Sequence, residues 1–159
     1  MLLFKRLIKT KMTATNHAVT GALIGAYLPW PVAIPLAFAS HFMMDALPHF
    51  GIYVKNKRHI NKYLYLLIVA DTLLTIALAL TMIYLQEWGM VFASYAAYSP
   101  DSQWVYYYLR YGKKKLIRPQ NWFAKFHKGL QKHESPLGII VEAVVLLPLL
   151  PILYIQLFG

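Results

Sequence analysis

At 159 residues the chain suits one domain, and 58% hydrophobic residues against 14% charged is too apolar for an ordinary water-soluble fold. The absence of cysteine excludes disulfides, thiolate metal sites and iron–sulfur clusters. A formal net charge of +10 would suit nucleic acid, but the basic residues border apolar segments, a placement that fits anionic headgroups and argues against a nucleic-acid partner.

Residues 1–11 (MLLFKRLIKTK) are short, basic and partly apolar, like an interfacial anchor, with Met12 a candidate start. Their apolar stretch is too short for a signal-peptide core, so no cleavage is expected. Thr15 or Asn16 offers an N-cap for a short helix over 18–28, which Pro29-Trp30-Pro31 breaks. A second helix is predicted over 32–47, stopped by Pro48, so that the two form a tilted or re-entrant hairpin. Gly21 and Gly25, one turn apart, would let that hairpin close tightly.

A basic loop (Lys55, Lys57, Arg58, Lys62) precedes a long apolar helix over 63–85. A further apolar segment follows at 88–98 and breaks at Ser99-Pro100. Aromatic residues 104–108 beside Arg110, Lys113, Lys114, Lys115 and Arg118 form a headgroup-level belt. Residues 123–131 read as a surface helix carrying Lys125 and Lys128, with Phe123, Phe126 and Leu130 at helical spacing. The last span, 137–158, begins after Ser135-Pro136, an N-cap and N1 pair. The expected fold is an all-α, polytopic helical membrane protein forming one integral domain. It has a short N-terminal helical hairpin, about three further apolar helices and a surface helix.

All basic clusters belong on the cytoplasmic side of the inner membrane, which puts the N-terminus inside and the final helix end outside. His17, Asp45, His49, Asp101, His127, His133 and Glu134 then fall near the cytoplasmic face. Asp71 lies about two and a half turns in from Lys62, and Glu142 about two turns in from Glu134.

Ionisable groups inside bilayer-length apolar segments are costly and mark function. The sharpest motif is Ser40–His49 (SHFMMDALPH). His41 and Asp45 are i,i+4 neighbours that can reach one ion, and His49 can turn toward the same point past Pro48. Carboxylates joined by histidines form the ligand set of zinc, with manganese or iron as alternatives. His17 reads as a ligand or a cap-region polar group, and Asp101 as a ligand or a turn residue. His127, His133 and Glu134 read as site members or solvated groups, while Glu87 and His59 look like interface residues. Asp71 either belongs to the site or joins helices by hydrogen bonds alone; Glu142 is a ligand or general base.

His17 with Gly21 and Gly25, then His41, Asp45, Pro48 and His49, then Pro100-Asp101, resemble the membrane-bound metal-dependent hydrolases of the YdjM-like group. In outline the order is also similar to zinc-dependent phospholipase C. The resemblance implies a metal at His17, His41, Asp45 and Asp101 and hydrolysis of an ester, a phosphoester foremost. The dense His-Asp signature of the phospholipases is missing from the second half, which leaves substrate and metal count open.

The sequence thus points to a membrane hydrolase with one or two divalent ions, acting on an anionic lipid or lipid phosphate. Core ligands are His41, Asp45 and His49, with Asp71 or Asp101 bridging and Glu142 or Glu134 as proton shuttle. The basic residues Arg110, Lys113, Lys114, Lys115, Arg118, Lys125 and Lys128 draw headgroups in. The rival readings are a metal or proton transporter using the same ligands, and an assembly protein whose polar groups only join helices.

Overall fold

The computed structural model describes residues 12–50, 62–103, 106, 110, 121–131 and 133–159. The N-terminal segment 1–11, the loop residues Lys55, Lys57, Arg58 and His59, and the headgroup candidates Lys113, Lys114, Lys115 and Arg118 lie outside them, as do most residues of the aromatic run at 104–108.

The described chain is mainly helical: α1 (Ala14–Tyr27), α2 (Trp30–Asp45), α3 (Lys62–Tyr84), α4 (Trp88–Tyr98), a 3-10 turn at Ser99–Asp101, α5 (Trp122–Leu130) and α6 (Gly138–Phe158). Two short strands, β1 (His49–Phe50) and β2 (Glu134–Ser135), pair in parallel, with His49 opposite Glu134. The all-α expectation holds, and α3 and α6 are long and apolar enough to cross a membrane.

Most element boundaries follow the punctuation in the sequence. Pro29 caps α2 and Pro31 sits in its first turn, where a missing N–H costs no intrahelical bond. Asn121 caps α5 by accepting the Ala124 N–H at 2.8 Å. Two expected caps are corrected. Thr15 and Asn16 lie inside α1, whose N-cap is Thr13 without a side-chain bond. Ser135 belongs to β2, and α6 starts from Leu137 because main-chain pairing with β1 holds the preceding residues extended.

Hydrogen bonds give the helices their directions. Asp71, in the first half of α3, and Glu142, in the second turn of α6, both reach residues 13–15. At the far end, Gln156 Nε2 donates to Tyr27 Oη at 3.0 Å. So α1, α3 and α6 run away from one end of the bundle, while α2 and α4 return to it. Val19, Ala22 and Leu23 of α1 pack with Met82, Met90 and Leu153 of the neighbouring helices as the core.

The small-residue step of α1 closes onto α4, not onto α2. A Cβ at Gly21 would stand 2.6 Å from the Ala93 carbonyl oxygen and 2.6 Å from Ala97 Cβ, and one at Gly25 would overlap the Gly89 carbonyl. Backbone meets backbone along this seam because Ala93, Ala96 and Ala97 offer no bulk. Gly25→Ala is therefore expected to destabilise by about 1–3 kcal/mol through overpacking, read as a lower melting temperature in detergent. An unchanged melting temperature would show that the seam can open at no cost.

Candidate metal centre

The end of the bundle at which α2 and α4 finish and α1 starts gathers the histidines and aspartates. Three elements fixed by local sequence bring them together. α2 carries His41 and Asp45 on one face at i,i+4 spacing, the Pro100 turn delivers Asp101, and α5 delivers His127 from its buried face with Ala124. One ligand atom from each of His41, Asp45, Asp101 and His127 lies within 4.8 Å of the others. His41, Asp45 and His127 are buried, whereas the Asp101 side chain is 24% exposed and forms the open edge.

His41 Nε2 lies 3.3 Å from Asp45 Oδ2 and 3.9 Å from Asp101 Oδ1. His127 Nε2 lies 2.7 Å from Asp45 Oδ2, 3.7 Å from Asp101 Oδ1 and 2.9 Å from His41 Nε2. Bonds of about 2.0–2.1 Å to a tetrahedral ion set donor atoms about 3.3–3.4 Å apart. The measured separations, 2.7 to 3.9 Å, bracket that spacing. The donor set of two imidazoles and two carboxylates fits a divalent transition metal.

The surrounding hydrogen bonds prepare the ring nitrogens. The Ala97 carbonyl can only accept, so His41 Nδ1 donates to it at 2.8 Å and the Nε2 lone pair faces the cluster. Gln103 Nε2 stands 2.7 Å from His127 Nδ1. The same amide nitrogen donates to the Pro100 carbonyl at 3.0 Å, which fixes the amide's orientation, so His127 Nδ1 accepts and Nε2 donates to Asp45 Oδ2 at 2.7 Å. Gln131 Nε2 donates to Asp45 Oδ2 at 2.9 Å, which holds the carboxylate in place. Phe42 packs its ring against those of Phe123 and Phe126, with centroids at 5.9 and 5.4 Å, and docks α5 on α2.

The remaining sequence candidates divide. His17 is buried, with Nε2 3.4 Å from Asp45 Oδ1 and its ring stacked on His41. His49 is also buried, but Nδ1 bonds the Leu47 carbonyl at 2.9 Å and its backbone is drawn into β1, so it is not among the four converging residues. Asp71 and Glu142 bind main-chain amides at the start of α1. Asp71 accepts from Ala14 N and Thr15 N, each at 2.9 Å. Glu142 accepts from Thr13 N at 3.1 Å and from Phe50 N at 2.8 Å. They supply the cap that Thr13 lacks, with negative charge at the positive end of the helix, and so fix the turn that carries His17. Glu134 contributes main chain to β2, and His133 is exposed. Arg110 and Lys125 are exposed, and Lys128 is half-buried on α5.

Gln103 and Gln131 escaped the sequence reading. Gln131 carried a signal, lying one helical turn past His127 on the same face; Gln103 carried only its nearness to Asp101. No protein-family model, curated protein or solved structure matches the chain.

Proposed function

We propose that the protein is an integral membrane, metal-dependent hydrolase that cleaves a phosphoester of a lipid or lipid-like molecule at the cytoplasmic headgroup level. The observation that carries this reading is the convergence of His41, Asp45, Asp101 and His127 at one end of the bundle, buried except at Asp101. The membrane part rests on α3, in which only 6% of the apolar span is buried within the protein. A helix that is apolar all round and uncovered by protein is matched to lipid.

Zinc is the metal proposed, since two imidazoles and two carboxylates whose ligand atoms lie within 4.8 Å of one another suit it. Such an ion supplies Lewis acidity that activates water near neutral pH and polarises a phosphoryl oxygen. The chain's own residues do the rest. Gln131 and Gln103 orient Asp45 and His127, and Asp101 borders the open edge where a headgroup would enter. Lys125 and Lys128 flank His127 on α5, where each basic residue near an anionic surface contributes about 1 kcal/mol of attraction. Trp122 and Phe126 are exposed beside them, the composition of a helix lying at the headgroup boundary. Hydrolysis near the inner headgroups also agrees with the orientation set by the basic clusters.

The test is phosphate release from phosphatidic acid and from an isoprenyl phosphate by detergent-purified protein loaded with zinc or manganese. Turnover that disappears on chelation and returns with metal is expected. A metal-loaded, folded protein that releases no phosphate from either lipid would remove the phosphoesterase reading.

A further inference from the structure

We propose that α3 joins further copies of the same chain. Three or four α3 helices pack in parallel as a left-handed coiled coil within the bilayer, along the stripe Leu66, Val69, Leu73, Ile76, Leu80 and Ile83. This rests on the reading of α3 as a membrane span and is independent of the metal centre.

α3 is held to its own bundle along one edge. Asp71 and Thr75 bond Thr15 there, and Leu78 and Met82 reach the core. The six stripe residues lie on the opposite side of the helix, between 36% and 61% exposed. Lipid accounts for their being apolar but not for their order. Acyl tails impose no period on a helix surface, whereas here steps of three and four residues alternate through the apolar span Tyr65–Tyr84. Leucine recurs every seventh residue at 66, 73 and 80, and a β-branched residue every seventh at 69, 76 and 83. At about 1.5 Å per residue the stripe runs about 25 Å, most of the thickness of a hydrocarbon core.

The register selects the partner. Each leucine stands three residues before a β-branched residue, so leucine holds the a positions and Val69, Ile76 and Ile83 hold the d positions. In parallel coiled coils that arrangement favours three or four strands over two. Ala70, Thr72, Ala77 and Ala79 flank the seam with small side chains, which lets several helices close around it. The Thr72 and Thr81 hydroxyls donate to the carbonyls of Ile68 and Ala77, at 2.8 and 3.0 Å, and need no other partner. Copies of one chain inserted in one membrane share one orientation, which supplies the parallel alignment, and rotation about an axis normal to the bilayer closes the ring. Inside lipid the fit of side chains drives such association, so a misfit in one layer is enough to weaken it.

The chain has no cysteine, so single cysteines report the seam directly. In native membranes, Leu73→Cys should form disulfide-linked pairs on mild oxidation. Leu74→Cys should not, because Leu74 is as exposed, 59% against 60%, but turned off the seam. A cysteine scan over 65–84 should repeat the Leu73 maximum at alternating steps of three and four residues. Mass measurement of wild type extracted with its native lipid should give three or four chains of 18.3 kDa. Leu73→Trp, directed away from its own bundle, should lower that mass and leave the melting temperature unchanged; if it does not fold, the cysteine scan and the wild-type mass decide. Equal cross-linking at Leu73 and Leu74, or a mass of one or two chains, overturns the proposal and leaves the membrane reading standing. Release of the wild-type chain from membranes by alkaline carbonate overturns both.

Discussion

Asp45→Ala should remove essentially all bound divalent metal and reduce phosphoester turnover to background, and His41→Ala should follow it closely. Asp45 stands at the middle of the cluster: His17, His41 and His127 all approach it, and Gln131 donates to it. Taking away the acid leaves three buried imidazoles without their common anion. Breaking a buried ion pair by deleting one partner typically costs about 3–5 kcal/mol. Lowered thermal stability should therefore accompany the lost metal in Asp45→Ala, while the conservative Asp45→Asn keeps the volume and an acceptor for Gln131 and isolates the metal effect. Elemental analysis of the purified variants decides the matter, with His59→Ala as a control that keeps its metal. Full occupancy in both Asp45→Ala and His41→Ala would reduce the cluster to packing.

The second large effect concerns Asp71 and Glu142. From the sequence, if the two acids serve a hydrolytic site, Asp71→Asn and Glu142→Gln should leave the protein folded and even stabilised, since an acid inside an apolar helix is costly, while abolishing activity; if they only join helices, little beyond modest stability should change. The hydrogen bonds reverse the stability part of that expectation. Each carboxylate accepts from two main-chain amides, one on each oxygen. An amide side chain offers one oxygen and must turn its NH₂ toward the other N–H, donor against donor. A hydrogen bond to a charged group contributes about 1.5–3 kcal/mol, so a loss of that order is expected from each variant as a lower melting point in detergent. Metal should fall less than in Asp45→Ala, because the four converging ligands remain. Asp71→Glu, which restores the charge, should recover part of the stability. Melting points equal to wild type for both amide variants would mean that the start of α1 is held by something else.

What was legible in the sequence was what acts over short range. The segment 88–98 is α4 to the residue, and the i,i+4 step of His41 and Asp45 placed both on one face before any packing was known. The surface helix was legible because Phe123, Phe126 and Leu130 fall at helical spacing, whereas its buried face is Ala124 and His127. What could not be read depends on partners far along the chain. Nothing local says that Gly21 and Gly25 meet Ala93 and Gly89, or that α1 is capped by residues 71 and 142. His49 stands apart from the four converging residues for a related reason. Its neighbour Pro48 suggested a free turn, but pairing with Glu134 commits the backbone to a strand. The amides of Gln103 and Gln131 carry no charge and give no signal in a search for ionisable groups, yet they set how His127 and Asp45 point.

His127 and His41 meet across 86 positions of sequence. The last part of the centre is thus supplied only when the chain has been made past α5 and has closed a long loop, an entropic cost that grows with the logarithm of loop length. An ion held by all four side chains favours the finished fold over every partly folded form that lacks one of them. At a free concentration of 100 times its dissociation constant, such a ligand adds about 2.7 kcal/mol to folding stability. Metal supply would then set the amount of mature protein as well as its chemistry, and a chain starved of the ion would be held back at the stage before α5 docks.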